Sequence, residues 1–318
     1  MSPLFGKKNR PSTIAVLDIE SGSVGSALVE LQKKGGPRLF GQDRKNLSLR
    51  GAPTANTLLK EIEKEIERSL TELSEVSMRL KNNNGSGDIG RVAVFLHAPW
   101  TTVSLGERAK ADAHEETLAQ LRGASQALGV PATFHAFSTT AMPIVHGIFG
   151  QPANSLVISI GGEVAELSLL KNGSIAAYAT VPAGLNHVLR TLESHGGMSR
   201  HEALSILSLS RSSRDHAWAE ALAAGVSSMA RELKSGAGDL LQQNGDAQQV
   251  FVLSREPSAD FFAHALTEDE SLRSLFSPGS TVRAVLAKHA SPYLSLHPHK
   301  PDVALMLESL FVDTRFGA

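Results

Sequence analysis

An apolar run over residues 14–17, closed by Asp18, reads as a buried strand. The Ser/Gly-rich turn Ser21-Gly22-Ser23 leads into a returning strand over 26–31, and Gly35-Gly36-Pro37 separates it from a third strand around 38–40. From 57 to 81 the period changes. Leu59, Ile62, Ile66, Leu73, Val76 and Leu80 recur at helical intervals among Glu and Lys, and the polar stretch 82–87 stops the helix. The stretch is too short for a coiled coil, so a helix packed on a sheet is expected. Val92, Val94 and Leu96 alternate in a strand over 91–97 that ends in the turn His97-Ala98-Pro99-Trp100. A helix over 111–128 ended by Gly129, a short strand over 133–137 and an apolar helix over 139–149 follow. Pro143 is tolerable in that last helix only in the first turn.

A linker-like run over 151–154 precedes three strands, over 156–160, 164–170 and 174–181. Asn172-Gly173 between the last two predicts a two-residue hairpin, because both turn positions need positive φ. Helices over 185–194, 199–208 and 218–243, a strand over 250–253 and a helix over 258–266 come next, and segments 282–288 and 301–312 finish the chain. Segment 301–312 is too apolar to remain in solvent (Val303, Leu305, Leu307, Leu310, Phe311). It lacks Lys and Arg along its face and contains Glu308, which favours a core helix over a membrane-binding tail.

Composition narrows the function classes. The 318 residues suffice for two domains, each with its own core. With 42% hydrophobic and 20% charged residues and a net charge of −1, the chain reads as globular, not as a disordered tail or a basic nucleic-acid binder. No apolar run reaches the roughly 18 residues of a membrane span, and none near the start resembles a secretory signal. The absence of cysteine excludes disulfides, thiolate metal sites and cysteine catalysis, and fits a cytoplasmic setting. Lys7, Lys8 and Arg10 beside Leu4 and Phe5 are too few for a membrane anchor, so a frayed terminus is expected. His297-Pro298-His299 reads as a surface loop, and His195 and His201 as helix-flanking residues without a catalytic role.

The pattern repeats. Val16-Leu17-Asp18-Ile19-Glu20 overlays Val157-Ile158-Ser159-Ile160-Gly161: each is an apolar strand, a polar residue, Ile, and a sharp turn into another strand. Duplicated hairpins of this kind can face each other and grip a polyphosphate through backbone N–H groups, with an acid at the strand end holding Mg²⁺.

Asp18-Ile19-Glu20-Ser21-Gly22-Ser23-Val24 resembles the first phosphate motif of the actin/Hsp70/sugar-kinase superfamily, and Ser159-Ile160-Gly161-Gly162-Glu163 its second. Within that superfamily the chain is most similar to the bacterial FtsA/PilM-type actin-like proteins. The Ser-rich first turn, His97-Ala98-Pro99-Trp100 and Val181-Pro182-Ala183-Gly184-Leu185-Asn186 carry that likeness. The resemblance implies a duplicated ribonuclease-H-like, two-lobed α/β fold with mixed five-stranded sheets. Residues 1–150 plus 280–318 would form the first lobe and 151–279 the second. It further implies ATP with Mg²⁺ as cofactor, bound by Asp18, Ser21, Gly22, Ser23, Ser159, Gly161, Gly162 and Gly184, with Asp18 on the metal.

The departures weaken that site. The family's Asp-x-Gly survives by halves, since Glu20 replaces the first glycine and Ser159 the second aspartate. A carboxylate about 5 Å from a phosphate costs about 3 kcal/mol per charge pair at an effective dielectric of about 20. Arg255-Glu256 stands where the family has a glycine pair beside the adenosine, and Ser138 where ATP-hydrolysing relatives orient the attacking water. The expectation is a non-enzymatic scaffold with a degenerate nucleotide site, or no cofactor at all. It would act with protein partners of bacterial division or of a type IV pilus or secretion apparatus at the inner membrane, and self-association is open. Two rivals stay open: a small-molecule kinase of the same superfamily, and an ATP-binding switch without hydrolysis.

Overall fold

The structure, a computed structural model, describes residues 13–47, 54–84, 87–104, 110–113, 129–150, 152–209, 218–255, 258–274, 276–277, 279–297 and 301–317. Two sheets organise them. In the first, β1 (Thr13–Ile19), β2 (Ser23–Glu30) and β3 (Arg38–Asn46) form an antiparallel meander, while β4 (Ile89–Leu96) and β7 (Ala132–Ala136) add in parallel on the other side of β1. In the second, β8 (Asn154–Ile160), β9 (Ala165–Lys171) and β10 (Ser174–Val181) form the meander, and β11 (Gln249–Leu253) and β12 (Thr281–Ala284) the parallel side. The orders β3-β2-β1-β4-β7 and β10-β9-β8-β11-β12 are therefore the same five-strand plan used twice. The first sheet gains a sixth strand, β13 (Ser295–Leu296), parallel to β3. β5 (Thr101–Ser104) and β6 (Lys110–Ala113) form a separate antiparallel ribbon that packs beside β7.

Nine helices among the described residues dress these sheets: α1 (Ala55–Asn84), α2 (Phe137–Ile148), α3 (Leu185–Gly196), α4 (Arg200–Leu209), α5 (Ala219–Asn244), α6 (Ser258–Glu268), α7 (Glu270–Arg273), α8 (Ala287–Ala290) and α9 (Val303–Phe316). Strand periodicity decides which face each side chain meets. Along β1, Ala15, Leu17 and Ile19 join Ile62, Ile66 and Leu73 of α1, while Ile14 and Val16 join Leu305 and Met306 of α9. A strand buried on both faces needs the unbroken apolar run that marks it in the sequence. The same parity carries Asp18, and His97 after β4, to the α9 face. In β8, Leu156, Ile158 and Ile160 pack under α3 and α5, whereas Val157 joins Phe137 and Met142 of α2 and Leu307 of α9 in a core shared by the two sheets.

Several expectations change in detail. Asn172 and Gly173 do take positive φ, at 50° and 78°. Pro143 lies well inside α2, where it removes one backbone donor but does not end the helix. Residues 111–113 are strand instead of the start of a helix; residues 114–128 of that expected helix, and the expected frayed terminus 1–12, fall outside the described residues. The boundary expected at 280 cuts just before β12, yet β12 pairs with β11 in the second sheet. Segment 301–312 does become a helix, buried from Val303 to Ser309.

Candidate functional site

The two hairpins expected to grip phosphate are brought together, and they touch. A Cβ built on Gly22 would lie 2.6 Å from Gly162 Cα, and one on Gly162 only 2.4 Å from Gly22 Cα, so backbone meets backbone. Ser21 Oγ accepts a hydrogen bond of 2.8 Å from the Glu163 N–H across the same gap. On the second hairpin, the Gly161 and Gly162 carbonyls accept from Leu185 N and Asn186 N at 2.9 and 2.8 Å, which occupies the first amides of α3. Gly184 is the N-cap of α3, and a Cβ there would sit 2.5 Å from both carbonyl oxygens. Glu163 is held by a bidentate pair from Arg190 (3.0 and 2.9 Å) and by Asn186 Nδ2 (2.7 Å).

Beneath the first hairpin lies a buried charge network that the sequence did not reveal. Arg44, at the polar end of β3, reaches Asp18 Oδ2, Asp302 Oδ2 (2.5 Å), Glu20 Oε1 (3.3 Å) and Ser23 Oγ (3.0 Å). Burial would lower its pKa, but the three carboxylates hold it well above the ordinary arginine value. Glu20 is buried and also accepts from Ser23 Oγ at 3.1 Å. It therefore points into the protein beside a compensating cation, not toward solvent. The anticipated like-charge repulsion has Arg44 as its counterion.

Asp18 is fully buried. Burial alone would raise its pKa, yet His97 and Arg44 hold it well below the usual carboxylate range. His97 Nε2 lies 2.7 Å from Asp18 Oδ1. Its Nδ1 lies 3.1 Å from Glu166 Oε2 of β9, and Glu166 Oε1 accepts from Tyr178 Oη at 2.6 Å. His97 thus joins the sheets, its ring stacked 3.9 Å from Phe137. Burial opposes its charge, but Asp18 and then Glu166 push its pKa up to about 10. Glu308, on the buried face of α9, lies beside Asp18; burial and the Asp18 charge drive its pKa well above the usual range. One ligand-capable atom from each of Asp18, His97 and Glu308 falls within 4.8 Å of the others.

Space is scarce where phosphate would go. The void bounded by Glu20, His97, Phe137, Ser159, Arg255 and Asp302 measures about 20 Å³, room for about one water. A cavity of about 440 Å³ opens beside it, lined by Arg44, Asn46, Leu185, His201, Ser205 and Arg255 among others. Arg255 bonds Asn46 Oδ1 across the lobes, and burial, offset by Glu20, lowers its pKa. Glu256 lies outside the described residues.

Of the expected ligands, Ser21, Gly22, Ser23, Gly161, Gly162 and Gly184 do converge, with Asp18 and Ser159 flanking them. As placed, they do not fit ATP with Mg²⁺. The hairpins leave no gap for phosphate, and one Asp18 oxygen is taken by Arg44. Four members of the buried charge network were not expected at this place: Arg44, Glu166, Asp302 and Glu308. Only Glu308 carried a signal, as a lone acid in an apolar helix.

No family model matches the chain, and no curated protein sequence matches it. Solved structures do. A PilM–PilN type IV pilus biogenesis complex contains a chain 15% identical, covering 97% of this chain and 99% of that one with a TM-score of 0.65. The ethanolamine utilization protein EutJ from Carboxydothermus hydrogenoformans is 14% identical, with 96% and 92% covered and a TM-score of 0.60. At such identity the likeness speaks to architecture alone: this chain has the two-lobed actin-like fold of these structures.

Proposed function

We propose that the chain is a non-enzymatic, actin-like scaffold of bacterial cell division or of type IV pilus or secretion assembly. In this reading it resides in the cytoplasm and works through protein partners at the inner membrane. The observation that carries the reading is the closed contact of Gly22 with Gly162 above the Arg44–Asp18 pair. A guanidinium stands beside the carboxylate that would serve a metal, and backbone of the two hairpins meets where phosphate would lie. Such a body offers partners a fixed surface, not a turnover site. The PilM structure comes from a complex with PilN, which supports a partner-binding role here by analogy of fold. No helix among the described residues is long and apolar enough to cross a membrane, so membrane contact in this reading runs through partners. The test is phosphate release from ATP by purified protein, expected to match buffer. Magnesium-dependent release that saturates with ATP would overturn the proposal.

A second reading, an ATP-binding switch without hydrolysis, draws on the 440 Å³ cavity beside Arg255, which has the size of a small-ligand site. It requires the hairpins to separate, so ATP binding should be accompanied by a measurable opening of the lobes.

A further inference from the structure

The geometry points to a buried site for one divalent transition-metal ion, held by Asp18 Oδ1, His97 Nε2 and the Glu308 carboxylate without any nucleotide. This goes beyond the scaffold reading and does not depend on it.

One ligand-capable atom from each of the three residues lies within 4.8 Å of the others, and the buried polar atoms there are Asp18 Oδ1, His97 Nε2 and the two Glu308 oxygens. All are buried, and none has a hydrogen-bond partner among the described residues. Asp18 Oδ1 and His97 Nε2 are 2.7 Å apart, an ion-pair contact that a shared cation would replace. Buried polar atoms are nearly always satisfied, so a buried ion pair beside a carboxylate with no hydrogen-bond partner calls for a shared occupant. The surrounding contacts leave these atoms free for that role. Arg44 engages only the other Asp18 oxygen, Oδ2. Glu166 accepts at His97 Nδ1, and a carboxylate on one ring nitrogen is the usual support for a metal on the other. Tyr178 in turn fixes Glu166.

The donor set selects the ion. One imidazole nitrogen with two carboxylates suits Zn²⁺ or Mn²⁺ better than Mg²⁺ or Ca²⁺, which favour all-oxygen shells. With Glu308 bidentate the site supplies four donors, the coordination number Zn²⁺ prefers, at about 2.0–2.2 Å. The rival occupant of the same space is a pair of protons, one on His97 and one on Glu308.

The experiment uses the full chain, stripped with a chelator and titrated with Zn²⁺ against a chromophoric competitor, with no ATP present. One ion per chain should bind, and the melting temperature should rise with it. Co²⁺ in place of Zn²⁺ should show the intense visible bands of a four-coordinate site. Glu166→Gln should weaken zinc binding about 10- to 100-fold, as loss of such a support does, and Glu308→Gln should weaken it further. Glu308→Gln keeps shape, so retained melting cooperativity shows that the variant is folded. Glu61→Gln, on α1 and outside the cluster, should bind as wild type does. Absence of stoichiometric zinc binding would overturn the inference and leave protons as the occupants. So would unchanged affinity in Glu308→Gln, or binding that appears only when ATP is added.

Discussion

Replacing Arg44 with Met tests the charge network at its centre. The guanidinium is 8% exposed and Asp18 fully buried, so water screens their pairing little. Removing it leaves Asp18, Glu20 and Asp302 grouped without the cation that now touches all three. Breaking one buried pair costs about 3–5 kcal/mol. Asp18 keeps His97 at 2.7 Å, and Asp302 retains some exposure, so the lower end, about 3 kcal/mol, is expected. At about 2.1 cal/mol/K of unfolding entropy per residue, the 318-residue chain shifts by about 1.5 °C per kcal/mol, so the melting temperature should fall by roughly 4–5 °C. Circular dichroism melts of wild type and Arg44→Met measure this directly. Adding Asp18→Asn to the variant should recover part of the loss, because the double change removes the charge left behind. A melt of Arg44→Met within ~1 °C of wild type, against the ~4 °C expected, would refute the reasoning.

Gly22→Ala and Gly162→Ala should each push the hairpins apart, since the new Cβ would fall 2.6 or 2.4 Å from the facing Cα; small-angle scattering should report a larger radius of gyration, and an unchanged profile would speak against the closed contact. Glu20→Gly should not by itself create micromolar Mg–ATP affinity, because the Gly22–Gly162 contact remains; calorimetry on the variant checks this. In the metal-free chain His97, raised to about 10 in the fold, contributes stability that is complete below about 6.5 and lost as pH rises through about 10, so alkaline melts of chelator-stripped protein should fall in wild type and flatten in His97→Gln. His135 shows the opposite sign. Burial and then Arg315 and Arg91 lower its pKa to about 4, so its contribution is present above about 6.5 and declines as pH falls toward 4; His135→Leu should flatten that acid limb.

The scaffold of this site was legible in the sequence, and its locks were not. The apolar run ending at Asp18 and the turn Ser21-Gly22-Ser23 announced the first hairpin, and the overlay on Ser159 and Gly161 announced the second. Their local periodicity is enough, because strand parity fixes the face on which Asp18 and His97 emerge. Arg44 was invisible because β3 runs polar from Gly41 to Asn46, so the hydrophobic pattern stopped at residue 40, short of the strand's true end. Asp302 and Glu166 reach the site only through tertiary folding, and no local pattern links them to Asp18. Glu308 was read correctly as a mark of a core helix, but a buried acid on such a helix needs a partner, and that question leads to Asp18.

Calorimetric titration of the wild-type chain with Mg–ATP tests the central claim, that the lobes close on each other through their own residues. The account predicts no saturable heat at ligand concentrations up to about 1 mM, an affinity weaker than about −4 kcal/mol. One-to-one binding at micromolar concentration by the unmodified chain would contradict it.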